Sequence, residues 1–293
     1  ILLAMFSGDA SEDPNLLQKS TVKAEHCRQL WRYLREGGAG NAREFLRYLW
    51  QAVLNLNAGQ IAAADADSAA ALPPQALPMA AIYHPHSRSP LGASVADWQR
   101  PGPWQWQAGQ PVVAVLFYRA HVQAGNTAVF DALCRSLLDR GMNPLPLALQ
   151  SLKDSVCQAL LQQLCAQQQV QLILNTTAFS QSALDTPGDH ALAGDIVVLL
   201  LILSGGNEAD WQADAHGLQP RDIAMHVAMP EVDGRIISRA ISFKGKLRYS
   251  SAAQVDVVQY IPHAERIAFV SELAQRYCRL RLRLRPAADK RLA

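Results

Sequence analysis

Within sixteen residues, Pro220 to Arg235, the chain places Arg221, Asp222, His226, Glu231, Asp233 and Arg235 among apolar residues that need cover. Ionisable groups set beside buried apolar ones acquire the shifted pKa values that proton transfer and metal ligation use. Two readings of the segment stand at this level. It is either a buried ion-pair network tying a helix to a Pro-Gly turn, or a functional site. Other candidates read more simply. His84-Pro85-His86 offers two imidazoles, but the proline fixes an extended backbone that sends them to opposite sides, which favours a turn over a ligand pair. Cys157 and Cys165, eight apart on one expected helix, read as core, since free cysteine packs as a small hydrophobe. His216 and His226 are ten apart with a glycine and a proline between them, and either serves as a cap or a stacking residue. The sequence contains neither G-x-x-x-x-G-K-[ST] nor G-x-G-x-x-G, so ATP hydrolysis by this chain is not expected. The motifs G-x-S-x-G, H-E-x-x-H and paired CxxC are also missing.

The elements that must position these residues follow from periodicity. An apolar, strand-like run opens the chain at Ile1 to Phe6. A helix from Ser20-Thr21 to Gly37-Gly38 and a second from about Asn41 to Leu56 follow, and then an Ala/Asp/Pro-rich linker from Ala58 to Pro78. From Pro111 strands alternate with helices. Strands are expected over Val112 to Tyr118, Leu145 to Leu149, Val170 to Leu174, Ile196 to Leu203 and Arg235 to Phe243. Helices are expected over Asn126 to Arg140, Ser155 to Gln168, Ala209 to His216, Pro220 to Val227 and His263 to Arg283. The Arg279 to Arg285 alternation fits either a basic helix end or an edge strand. Alternation of this kind implies an α/β fold, a parallel sheet of βαβ units flanked by helices, preceded by a mainly helical N-terminal part. The expected division is residues 1–82 and 83–293. Ligands of such sheets sit beyond the carboxyl ends of the strands. There the sequence places polar loops at 118–126, 150–154, 175–180 and 204–207.

Composition bounds the rest. The 293 residues are 49% hydrophobic and 18% charged, enough to bury a core, and the net charge of +2 supplies no global basic field for nucleic acid. The basic stretch Arg276 to Arg291 has Tyr277 as its only aromatic, so it reads as a solvated face. The longest apolar run, Ile196 to Leu203, falls short of the ~20 residues of a spanning helix, so no membrane is expected. Five scattered cysteines fit a reducing, cytoplasmic setting. The start at Ile1, with no initiator Met, and the end at Ala293 suggest a segment of a longer polypeptide.

The polar loops and the segment described first spell a pattern. Pro111 to His121 with Gly125-Asn126-Thr127, Ser151-Leu152-Lys153-Asp154, Asn175 to Ser180, and Gly217 through Pro220-Arg221-Asp222 to Pro230-Glu231-Val232-Asp233-Gly234-Arg235 resemble the large, porphyrinoid-binding subunit of aerobic cobaltochelatase, a relative of the magnesium chelatase large subunit. Trp31 to Leu34 and Asn41 to Tyr48 are similar too. The resemblance covers nearly the whole chain, except Ala58 to Ala81. It implies ATP-dependent insertion of Co²⁺, the metal substrate, into hydrogenobyrinic acid a,c-diamide during cobalamin synthesis. ATP and Mg²⁺ would be used by two separate AAA+ partner subunits and not bound by this chain. Metal insertion requires that the macrocycle lose its inner N–H protons and the cation its water, and a carboxylate or imidazole serves both steps. The resemblance assigns Glu231 as proton acceptor or transient metal ligand, with His226 as second candidate. Arg119, His121, Arg221 and Arg235 then hold the peripheral carboxylates, and Asn126 is a further substrate-binding residue. Two rivals are a magnesium chelatase large subunit acting on protoporphyrin and a non-catalytic module that binds a tetrapyrrole or docks the motor subunits. The spelling Phe117-Tyr118-Arg119-Ala120-His121 favours cobalt.

Overall fold

The computed structural model describes residues 4–6, 13–54, 70–87, 90–178, 194–215, 217–228, 236–251 and 254–283. Backbone contacts divide the chain into two compact units, one of residues 1–77 with 123–125 and one of residues 78–122 with 126–293.

The first unit is helical: α1 (Pro14–Lys19), α2 (Ala24–Glu36), α3 (Gly38–Tyr48) and a π-helical turn, Leu49–Val53, continuing α3. Asp13 caps α1 by accepting from the Asn15 and Leu16 amides. The expected start of α2 at Ser20-Thr21 is displaced to Ala24. The Ser20 hydroxyl is taken up elsewhere, donating to the Leu16 carbonyl and accepting from the Met5 amide. Residues 4–6 form no strand, and residues 1–3 lie outside the described set. The described part of the expected linker, residues 70–77, is bonded along the helices. Asn41 exchanges hydrogen bonds with Gln75, and Glu44 and Glu36 accept from the Leu72 and Leu77 amides. Carboxylate and amide side chains at helical spacing thus satisfy an extended strip that composition alone presents as free chain.

The second unit is an α/β sheet. Among the described residues it holds seven strands: β1 (Ala80–Ile82), β2 (Val112–Tyr118), β3 (Asn143–Leu149), β4 (Leu172–Asn175), β5 (Val197–Leu203), β6 (Ile236–Ser250) and β7 (Val255–Pro262), in spatial order β1-β3-β2-β4-β5-β6-β7. The central five are parallel, and β1 and β7 are antiparallel edges that the sequence reading did not include. Three residues of β1 are too few to show a period. β7 is half-exposed, so its Val-Asp-Val-Val-Gln spelling lacks the uniform apolar run of a buried strand. β6 continues seven residues past its expected end because β7 supplies the ladder partner there.

The helices connecting and following the strands are α4 (Val95–Gln99), α5 (Ala120–Gln123), α6 (Ala128–Asp139), α7 (Ser155–Gln167), α8 (Glu208–Ala213), α9 (Pro220–Ile223) and α10 (Ala264–Arg283). The basic alternation is therefore helical through Arg283. β3 and β4 are buried along their whole length, as are most residues of β2 and β5, because helices cover both faces. Phe117 stacks on Phe130 of α6 at 4.0 Å between centroids, fixing that helix to β2. From β2 the chain winds to β3, then returns across β2 to β4. The winding therefore reverses between β2 and β4, and a doubly wound sheet opens its crevice beyond the carboxyl ends of those strands.

Candidate functional site at the carboxyl ends of the strands

Apolar strands end here in polar residues that stay buried. Asn175, Thr176, Thr177, Ser204 and Ser242 are each at most 2% exposed. The hydroxyl and amide of Thr176 both donate to the Leu116 carbonyl, at 2.8 and 2.9 Å. The amide and hydroxyl of Thr177 both donate to Asn175 Oδ1, at 3.0 and 2.8 Å. Tyr118 donates to the Ala178 carbonyl at 2.7 Å, locking the loops after β2 and β4 together. Asn175 Nδ2 is buried without a hydrogen-bond partner. The loop after β3 does structural work instead. Asp154 accepts from the Val156 and Cys157 amides and caps α7.

After β5 the chain turns through Ser204-Gly205-Gly206 onto Asp222 of α9. The carboxylate accepts from the Ser204 hydroxyl at 2.7 Å and from the Gly205 amide at 2.9 Å, and is itself 5% exposed. A Cβ on Gly205 would lie 3.1 Å from Asp222 Oδ1, so any larger residue would have to displace the carboxylate by a few tenths of an ångström. The clamp fixes α9 and the π-helical turn Ala224–Ala228 that carries His226. A π-turn is a local distortion of the helical ladder often found at functional sites. Burial lowers the His226 pKa, with Asp222 opposing the shift, and the ring's Nδ1 is buried without a hydrogen-bond partner.

The second wall comes from β7. The Tyr260 amide donates to Asn126 Oδ1 at 3.1 Å, and the His121 carbonyl accepts from the Asn126 amide at 2.8 Å. The His121 ring lies edge-on between Phe130 (5.0 Å) and Tyr260 (5.6 Å). Burial lowers its pKa to about 4, so the imidazole is neutral at pH 7. Burial raises the Tyr260 pKa, the negative charge of Asp222 adds to the rise, and Arg221 offsets it. The Lys244 ammonium stands 5.8 Å from the Tyr260 ring centroid.

Of the residues expected from sequence, His121 and Asn126 meet at Tyr260, Arg221 lies within electrostatic reach of the Tyr260 phenol, and His226 lies within electrostatic reach of Asp222. The Arg119 guanidinium donates to the Pro78 carbonyl, towards the β1 side. Glu231 and Arg235 lie outside the described residues, as does His216. Among the described residues no three His, Cys, Asp or Glu side chains form a metal cage. Tyr260, Lys244 and the clamping role of Asp222 were missed. Asp222 was visible as a carboxylate beside a helix start, whereas Tyr260 and Lys244 reach the site only through the pairing of β6 with β7. Two neutral imidazoles, exposed Arg221, Lys244 and a flat phenol ring can accept protons, hold carboxylates and receive a planar ligand.

His84-Pro85-His86 forms a turn, with the Ser87 amide on the His84 carbonyl. All five cysteines are free and buried, consistent with the core reading of Cys157 and Cys165. Among the described residues no helix is long and apolar enough to cross a membrane.

The family model described as CobN/Magnesium Chelatase matches residues 31–293. The aerobic cobaltochelatase subunit CobN of Pseudomonas aeruginosa is 42% identical over 292 residues, covering 100% of this chain. The protein of the same name from a Sinorhizobium species is 34% identical over 297 residues, covering 99%. This chain spans 22% of the length of each. Among solved structures, the catalytic subunit of cobaltochelatase from Mycobacterium tuberculosis superimposes with a TM-score of 0.66 at 30% identity, over 95% of this chain and 21% of that one.

Proposed function

Because this chain belongs to the CobN/magnesium chelatase family, we propose that it supplies part of the tetrapyrrole-binding site of a cobaltochelatase acting in cobalamin synthesis. The reaction is ATP-dependent insertion of Co²⁺ into hydrogenobyrinic acid a,c-diamide in the cytoplasm. Two AAA+ partner subunits use ATP and Mg²⁺, in keeping with the missing phosphate loop. The observation that carries this reading is the meeting of His121 and Asn126, from the segment after β2, with Tyr260 of β7, within electrostatic reach of Arg221. In this reading Arg221 and Lys244 pair with peripheral carboxylates and the Tyr260 ring faces the macrocycle, and the family resemblance adds Arg119 and Arg235 as further carboxylate partners. The neutral imidazole of His226 and the carboxylate of Glu231 take up inner N–H protons or replace water on the incoming cation. Asp222 acts as a positioning residue, holding Arg221 and His226 to the end of β5.

Titration of the chain with hydrogenobyrinic acid a,c-diamide, followed by absorbance, tests the binding half. A shifted spectrum that weakens on Arg221→Gln and Tyr260→Leu is expected. Preferential binding of protoporphyrin would move the chain to the magnesium branch. In the complete enzyme, Glu231→Gln should abolish chelation while leaving macrocycle binding intact. Unchanged chelation would sink the catalytic assignment and leave the chain as a binding module.

A further inference from the structure

A second cavity, of about 480 Å³, lies at the β1 edge of the sheet, lined by His84, His86, Asp97, Arg100 and Trp104 among others. Its walls are built rather than incidental. Trp98 is fully buried beneath it, donating through Nε1 to the Tyr83 carbonyl at 2.9 Å, while its own carbonyl accepts from the Trp106 amide at 2.7 Å. Trp106 Nε1 in turn donates to the Pro144 carbonyl of β3 at 2.8 Å. The two histidines do not converge as metal ligands, since His84 lies edge-on to Trp98 at 4.7 Å and His86 lies against Trp104 at 5.9 Å.

What the cavity offers follows from where the protons are. His84 is 9% exposed, and its Nδ1 accepts from the His86 amide at 3.2 Å. The proton of the neutral ring therefore sits on Nε2, which is a donor. Burial lowers the His84 pKa, which favours that neutral form. The single carboxylate among the lining residues is spent. Asp97 accepts from the Ser94 amide and hydroxyl at 2.7 and 2.9 Å, and pairs with Arg100 at 2.9 Å. One face of Trp104 carries the Arg135 guanidinium at 4.2 Å, which leaves the cavity a polarised aromatic wall with positive charge behind it. The lining thus combines a buried neutral donor, a guanidinium with unspent N–H groups and an aromatic wall, and among the described residues it offers no second carboxylate.

We propose that this cavity is a binding site for a small planar anion, an aromatic or heteroaromatic ring bearing a carboxylate or phosphate. The anionic group takes the His84 and Arg100 donors, and the ring lies against Trp104. The site is separate from the crevice between β2 and β4 and does not depend on the function proposed for it.

The test is calorimetric titration of the whole chain with 2-naphthyl phosphate and naphthalene-2-carboxylate, using 2-naphthol and inorganic phosphate as controls lacking the charge or the ring. The two planar anions should bind with Kd of about 100 µM or tighter, the scale expected for ligands of this size. Each control should bind at least tenfold more weakly. His84→Asn keeps an acceptor for the amide two residues on, in the manner of an Asx turn, but removes the Nε2 donor. It should weaken the anions about tenfold, with the near-ultraviolet circular dichroism unchanged. Trp104→Leu should weaken the planar anions and leave inorganic phosphate unaffected. No binding of either planar anion at millimolar concentration, or equal binding by wild type and a folded His84→Asn, overturns the proposal. Tighter binding of the carboxylate over the phosphate, or the reverse, identifies which anion the site takes.

Discussion

Replacing Asp222 by alanine removes the acceptor of two donors at the end of β5. The Ser204 hydroxyl, in a residue 2% exposed, and the Gly205 amide both donate to this carboxylate. Truncation leaves the Ser204 hydroxyl buried and unpaired, at roughly 1–3 kcal/mol, and removes a bond to a charged acceptor from the amide of exposed Gly205, where water replaces part of the loss and roughly 1 kcal/mol remains. Together the loss is about 2–4 kcal/mol. Asp222→Asn should cost less, about 1–2 kcal/mol, because the amide oxygen still accepts from Gly205 and its NH₂ still meets the Ser204 oxygen. Ser204→Ala alone should cost about 1.5 kcal/mol, and a double-mutant cycle with Asp222→Ala should show a coupling of about 1–2 kcal/mol. Urea unfolding followed by tryptophan fluorescence reads these values. With a slope of about 2–3 kcal/mol/M, Asp222→Ala should move the midpoint down by roughly 1–2 M. The same variant should weaken macrocycle binding, because Arg221 and His226 are carried on the segment it anchors. A midpoint within 0.3 M of wild type, or additive Ser204 and Asp222 effects, would refute the clamp.

Two further outcomes follow from packing. His121 has its folded pKa at about 4, below its ordinary 6.5. Below pH 6.5 the unfolded chain therefore takes up a proton that the folded chain refuses, and stability falls as the pH drops from about 6.5 to 4. At roughly 1.36 kcal/mol per pH unit the loss approaches but does not exceed about 3 kcal/mol. His121→Phe should flatten the stability-pH curve in that window, and an unchanged curve would place the imidazole in solvent. At Gly245, a Cβ would stand 2.7 Å from Ile261 Cγ1 on the paired strand. Gly245→Ala should cost about 1–3 kcal/mol by thermal unfolding. A second change, Ile261→Ala, should recover most of it, and failure of that rescue would point to backbone conformation rather than the steric contact.

Much of the α/β unit was legible in the sequence because buried parallel strands spell themselves as continuous apolar runs. Val112 to Tyr118 and Ile196 to Leu203 are found within a residue of their expected bounds. Elements stabilised mainly by their neighbours were not legible. β1 is three residues long and exists because β3 pairs with it, and β7 is half-exposed and is held by β6. The N-terminal helices were found but their ends were misplaced, since Ser20 has the side chain of a cap yet spends it on Leu16 and Met5.

The same division holds for chemistry. Sequence alone determined which residue types stand at the ends of the strands, because loops after apolar strands must be polar and a sheet of this winding opens its crevice there. His121 and Asn126 stand in one of those loops and Arg221 and His226 in the ionisable segment from Pro220 to Arg235, whereas their roles came from the family resemblance. Tertiary structure alone decided that His121 and Asn126 meet at Tyr260, a residue more than a hundred positions away, with Arg221 within electrostatic reach, that Asp222 is a clamp and not a free carboxylate, and that His121 is neutral. Pairing register and burial set these properties, and both are created by contacts between segments distant in the chain, where local residue pattern carries no signal.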